Sequence, residues 1–187
     1  MTDIDTLKRH VRESNAIENI WVGEENLLFS RHLRIAKLVS KNAEKGIFIT
    51  PLVMHAKLLP EIAGYRKCTV AVGRYVAPPH HMVPELMATW HNAQERHRQF
   101  LEKNQGSHLA EWIKERAWFF HNWFECIHPF SDGNGRTGRL ILNSFLRHGK
   151  VPWHVVLEQD RFAYYARIRE FEENIFKGWY PPHQWKY

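Results

Sequence analysis

The chain has 187 residues, 44% of them apolar and 25% charged, with a formal net charge of +6 at neutral pH. That composition speaks against a disordered chain and a membrane bundle: there is apolar material for one core, and no uncharged apolar stretch reaches the ~20 residues that a bilayer span needs. A single domain over residues 1–187 is expected, and the basic surplus suits an anionic partner such as nucleic acid, a phosphate group or an acidic surface.

The first residues lack the basic-then-apolar layout of a secretion signal. Residues 2–15 read as a helix capped by Thr2 or Asp3, with Leu7 and Val11 on its apolar face. A second helix is expected from about Glu24 to Glu44, where Leu27, Leu28, Ile35, Leu38 and Val39 recur at helical spacing until Gly46. Its row Arg31, Arg34, Lys37, Lys41 and Lys45 reads as a solvated face rather than a nucleic-acid groove. Thr50-Pro51 is a cap followed by proline at the first helical position, opening a short helix that Pro60 ends.

Beyond Gly64 the period changes to two. Cys68, Val70 and Val72 alternate with Lys67, Thr69 and Ala71, so a strand is expected, turned at Gly73 and returned through Arg74, Tyr75 and Val76. Pro78-Pro79 ends that hairpin. Further helices are expected from Val83 to Glu102 and from His108 to Ile127, with a loop at 104–106 between them. The second of these is apolar nearly all round and so is enclosed by other helices. Another follows the loop at 128–135 and stops at Gly149, and a last one spans Gln159 to Phe176, closed by Pro181-Pro182. The expected fold class is mainly α with one small β-hairpin. The two cysteines, Cys68 in the strand and Cys126 in a helix, are too few for a disulfide framework and read as reduced thiols in the cytoplasm. The 13 histidines include no one-turn pair of a zinc-protease kind and read mostly as surface or half-buried residues.

The chemistry concentrates in residues 128–139, His-Pro-Phe-Ser-Asp-Gly-Asn-Gly-Arg-Thr-Gly-Arg. Gly133 and Gly135 open backbone conformations closed to other residues and expose their amides. Successive amides ahead of a helix form an anion nest that the helix dipole strengthens. Arg136 and Arg139, three apart, bring planar forks suited to phosphate oxygens. Asp132 is a candidate magnesium ligand, because that ion takes carboxylates together with substrate phosphates. His128 is a candidate base near neutral pH. The alternative is a plain turn whose arginines pair with acids.

The pattern His-Pro-Phe-x-Asp-Gly-Asn-Gly-Arg-x-x-Arg resembles the signature of Fic-domain proteins and is complete here from His128 to Arg139. The resemblance implies a Fic/Fido-type helical domain with a hairpin flap, which transfers AMP from ATP to a hydroxyl of a target protein and releases pyrophosphate. It implies His128 as the base, Phe130 as the loop's anchor in the core and Asp132 as the Mg2+ ligand. Gly133, Asn134 and Gly135 would cradle the phosphates, Arg136 would contact phosphate oxygens, and Arg139 would meet the terminal phosphate. The resemblance spans about Ser14 to Arg169, and a minimal core is expected, without the added C-terminal domain of many members.

Ser14 and Glu18, followed by Asn19, would by themselves be a bland pair one helical turn apart. Beside the signature they resemble the family's inhibitory motif, in which the glutamate pairs with the second signature arginine, here Arg139. That implies an inhibitory region over residues 1–22. Residues 66–79 resemble the flap, with Val70, Ala71, Val72 and Gly73 as candidates for pairing with a target segment; an ordinary surface hairpin is the alternative. Asn143 and Tyr165 are candidates to lie near the nucleotide, with helix packing as the alternative, and His55 is expected only to pack. The implied partners are ATP and a target protein, with self-modification and a homo-oligomer as further expectations. The readings left open are removal of AMP, transfer of another phosphorylated group, and, in another class, a basic nucleic-acid-binding module.

Overall fold

The computed structural model describes residues 2–104 and 106–181. Gln105 of the expected interhelical loop and Pro182 of the expected closing pair lie outside them. Among the described residues there are seven helices of eight residues or more: α1 Ile4–Ile17, α2 Leu27–Ala43, α3 Pro51–Leu58, α4 Val83–Lys103, α5 Ala110–Ile127, α6 Asn134–His148 and α7 Arg161–Phe171. No helix among them is long and apolar enough to cross a membrane.

Side-chain caps place the first three starts. Asp3 accepts from the Thr6 amide at 2.8 Å, Asn26 from Leu28 at 2.8 Å, and the Thr50 hydroxyl from Val53 at 3.4 Å, with Pro51 opening α3 as expected. The end of α1 is informative. Ile20 donates to the Asn15 carbonyl and Asn19 to Ala16, with Asn19 at φ 59. This is the paired closure that a helix makes when the residue beyond its cap turns left-handed, a conformation asparagine tolerates. Glu18 is the cap residue itself, so it leaves α1 with its side chain turned toward α6.

Helices α5 and α6 form the centre, joined by the loop 128–133. Phe120 stacks on Phe145 with ring centroids 4.5 Å apart, and the wholly buried Trp90 of α4 donates its indole N–H to the Phe120 carbonyl at 3.0 Å. Helices α1 and α2 lie against the other side of α6, and α7 lies against α5. Beyond α7 the helix continues through a wider turn at Glu172–Phe176 to Trp179, slightly longer than expected.

The hairpin is shorter than its alternation suggests. Only Ala71–Val72 (β1) and Tyr75–Val76 (β2) pair, antiparallel, with Ala71 opposite Val76 and Val72 opposite Tyr75. Val70 adds one bond, its carbonyl accepting from Ala77 at 3.1 Å, and Gly73 takes φ 60 in the turn. Cys68 is therefore not in a strand, contrary to expectation; it is an exposed residue at the hairpin's base, whereas Cys126 is in a helix as expected. Both faces of this ladder meet solvent, so no burial rewards a longer alternating register. Five histidines (10, 32, 55, 97 and 121) are buried, and the other described ones are exposed or half-buried.

Candidate active site

Helix α5 ends on His128, at φ 50 and ψ 60, a left-handed conformation that costs a histidine on the order of 1–3 kcal/mol. The neighbourhood holds it there. Its amide donates to the Phe124 carbonyl at 3.0 Å, and its carbonyl accepts from Arg66 Nε at 2.8 Å. Its Nδ1 lies 3.3 Å from the Glu125 carbonyl, a contact that needs the proton on Nδ1 and leaves Nε2 with a free lone pair.

The loop is pinned beneath. Phe130 is fully buried and stacks on His55 with centroids 3.8 Å apart. Asn134 clasps Phe130 from both sides, accepting from its amide at 2.9 Å and donating to its carbonyl at 2.8 Å. His55 Nε2 donates to the Asp132 carbonyl at 3.0 Å, so this histidine shapes the loop as well as packing. Gly133 has φ 75, and a Cβ there would crowd Leu59 and His55.

At the start of α6 the first amides have no acceptor within the helix. A carboxylate lies against that turn: a Cβ added to Gly135 would overlap a Glu18 carboxylate oxygen, and the same oxygen accepts from Arg139. Arg139 is wholly buried and its guanidinium makes four hydrogen bonds. Its Nε donates to Ser14 Oγ at 2.8 Å, its Nη2 to the Ser14 carbonyl and to Glu18 Oε1, each at 2.8 Å, and its Nη1 to the Tyr164 hydroxyl at 3.2 Å. Arg136, 1% exposed, donates to Asp132 Oδ2 at 3.1 Å. The Asp132 side chain is 66% exposed, and its Oδ1 accepts from the Gly133 amide at 2.5 Å.

The charges set the protonation states. Burial holds the His128 imidazole down to about 4; the Glu125 carbonyl bond opposes this, Arg66 adds to it, and Glu18 and Asp132 oppose it. Glu125, beneath the first turn of α6, is pushed up to about 8 by burial, against the pull of Arg139 and with the push of Glu18. A Cβ on Gly138 would overlap the Glu125 carboxyl, so the glycine is what admits this acid.

The structure thus gathers His128, Asp132, Gly133, Asn134, Gly135, Arg136 and Arg139 around one loop and brings Ser14 and Glu18 to it from α1. Asn143 is not at the site: its amide binds the Arg139 and His154 carbonyls and accepts from the His154 amide, tying α6 to the segment that follows it. The Tyr164 hydroxyl accepts from Arg139, and Tyr165 beside it lies near enough to Glu18 and Arg139 to feel their charges. Arg66, Glu125 and Tyr164 went unpredicted. Only Glu125 had a signal, as the one acid among the aromatic residues from Ala117 to Ile127. Arg31, Arg34, Lys37 and Lys41 of α2 line a groove of about 590 Å3 with Lys57 and Pro60, and no residue of the 128–139 stretch borders it. The chemistry available at the loop is anion binding beside a neutral imidazole.

A family model described as the Fic/DOC family matches residues 52–146. The protein adenylyltransferase Fic of Culex quinquefasciatus is 32% identical over 169 residues, covering 84% of this chain and 31% of the relative. That of Aedes aegypti is 32% identical over 176 residues, covering 84% and 32%. The chain spans about a third of the length of the curated relatives it matches. A solved Fic-domain-containing signalling protein from Bacteroides thetaiotaomicron has the same fold, with a TM-score of 0.73 at 17% identity over 91% of this chain and 73% of that one.

Proposed function

The chain belongs to the Fic/DOC family, and we propose that it is a protein adenylyltransferase that moves AMP from ATP to a hydroxyl side chain of a target protein. Relatives bearing the name protein adenylyltransferase support this reading. What most favours it in the structure is the Glu18 carboxylate lying against Gly135 and bonded to Arg139, an anion at the start of α6 close enough to His128 to act on its charge.

The phosphates of ATP would lie over the amides of Gly133, Asn134 and Gly135, with Arg136 and Arg139 on their oxygens. The target hydroxyl oxygen attacks the α-phosphorus and forms the new P–O bond. Its proton passes to His128 Nε2, and the bond from the α-phosphorus to the bridging oxygen breaks, so that pyrophosphate leaves with that electron pair. Positioning and charge stabilisation carry most of such a transfer, with base catalysis adding roughly 10² to 10⁴.

Magnesium fits the donor set. Among the described residues there is no cluster of three metal-ligating side chains, but the exposed Asp132 carboxylate suits an ion that takes one carboxylate and otherwise phosphates and water. Bound there, the ion would neutralise phosphate charge.

Residues 1–22 restrain the site in this account. Glu18 occupies the guanidinium that a terminal phosphate would need, and Ser14 anchors the same arginine through two further bonds. The hairpin at 66–79, with its exposed Val72 and Val76, is where a target segment adds as a strand. Incubating the Glu18→Gly protein with ATP labelled at the α- or the γ-phosphate tests the transfer. The α-label should stay on protein and the γ-label should not; retention of the γ-label, or of neither, contradicts it.

A further inference from the structure

Arg66 is 4% exposed, yet no carboxylate pairs with it among the described residues. Its guanidinium instead gathers backbone carbonyls from two places. Nε donates to His128 at 2.8 Å, and Nη2 reaches Ile127 at 3.5 Å. Nη1 donates to Cys68 at 2.9 Å and Nη2 to Pro78, the two legs of the hairpin. Its own amide donates to the Pro129 carbonyl at 2.9 Å. One side chain thus joins both ends of the hairpin to the residue whose left-handed backbone aims the imidazole. The Tyr75 hydroxyl, which donates to the Cys126 carbonyl, ties the returning strand to the same helix end.

Burying an uncompensated guanidinium is unfavourable unless its donors are satisfied, and a carbonyl left without its donor costs about 1–3 kcal/mol. The clasp is therefore a unit: loosening it frees carbonyls on the hairpin and on the loop together. We infer that Arg66 is a positioning residue that fixes the register between the hairpin and His128, and hence between an incoming target hydroxyl and its base. This rests on the transferase reading above. It separates two reactions at one site. Attack by a protein hydroxyl needs the hairpin and the base in register; attack by water on the same α-phosphorus needs only the nucleotide and the base.

The test uses Arg66→Gln and Arg66→Lys in the Glu18→Gly protein, with labelled protein and free AMP measured in the same reaction. Arg66→Gln should lower protein labelling about a hundredfold, the scale of a 1 Å misplacement, while free AMP formation falls far less. Arg66→Lys, which keeps the charge but not the fork, should recover part of the labelling. Hydrogen exchange without nucleotide gives a second readout: segments 66–79 and 127–130 should both exchange faster in the variants. A parallel fall of both products, or faster exchange in one segment alone, overturns the inference. Should Arg66→Gln fail to fold, Arg66→Lys decides by the same comparison. Should the parent form neither product, the transferase reading fails and hydrogen exchange alone decides the clasp.

Discussion

Glu18 and Arg139 lie 121 positions apart in the chain and meet at 2.8 Å, with the guanidinium 1% and the carboxylate side chain 30% exposed. The pair is not all that holds Arg139 in place, because Ser14 and Tyr164 take three further hydrogen bonds from the guanidinium. Removing the carboxylate vacates the anion seat and leaves the seat built. Glu18→Gly should therefore tighten ATP binding without unfolding the protein. If the seated carboxylate is favoured by ~2.7 kcal/mol, the gain is about a hundredfold. Calorimetric titration with ATP and magnesium checks it, and equal affinities in the two proteins would remove the inhibitory reading.

His128 is held down to about 4, chiefly by burial. A lowered imidazole is neutral above its folded value and becomes charged as pH falls through it. The ring should stay neutral across the physiological range and titrate near pH 4 rather than 6.5. Glu18 and Asp132 both raise it, so Glu18→Gly should move the midpoint further down. An NMR titration of the ring in the nucleotide-free protein measures this; a midpoint near 6.5 would contradict the lowering.

A side chain at Gly138 would displace the buried Glu125 carboxyl, which lies where its Cβ would go. Gly138→Ala should destabilise the protein by about 1–3 kcal/mol, the usual scale of overpacking. The same substitution in a Glu125→Ala background should cost clearly less, since the two positions share one space. Urea unfolding of the four proteins in that cycle supplies the numbers, and additive effects would contradict the overlap.

Glu125 is raised from the usual carboxylate range to about 8 by burial. A group raised on folding contributes stability that is full below its unfolded value and lost as pH rises through its folded one. Between pH 4.5 and 8 the native protein should thus lose stability that Glu125→Gln retains. Thermal melts across that window test it; parallel curves for the two proteins would mean the carboxyl is already charged in the fold.

The loop was legible because its chemistry is contiguous: base, carboxylate, glycines and two arginines fall within residues 128–139. The helix ends at Asp3, Thr50-Pro51 and Gly46 were legible for a similar reason, since each is a local capping or turning event. What escaped is what depends on distant packing. The Arg66 clasp reaches 62 positions along the chain to His128. Tyr164 bonds to Arg139 because of how α7 seats on the core, which no local pattern reveals. Cys68 alternates like a strand residue but has no partner strand, and Asn143 answers backbone groups 11 positions on. By spacing alone Glu18 was an ordinary helix glutamate; its place at the cap of α1, ahead of the left-handed Asn19, is what turns it onto the start of α6.

The most direct measurement is the intact mass of the Glu18→Gly protein after incubation with ATP and magnesium, beside a Glu18→Gly/His128→Ala control. The account predicts a gain equal to one AMP group on the first protein and none on the second. No gain on either, a gain equal to a single phosphate, or the same AMP gain on both would contradict it.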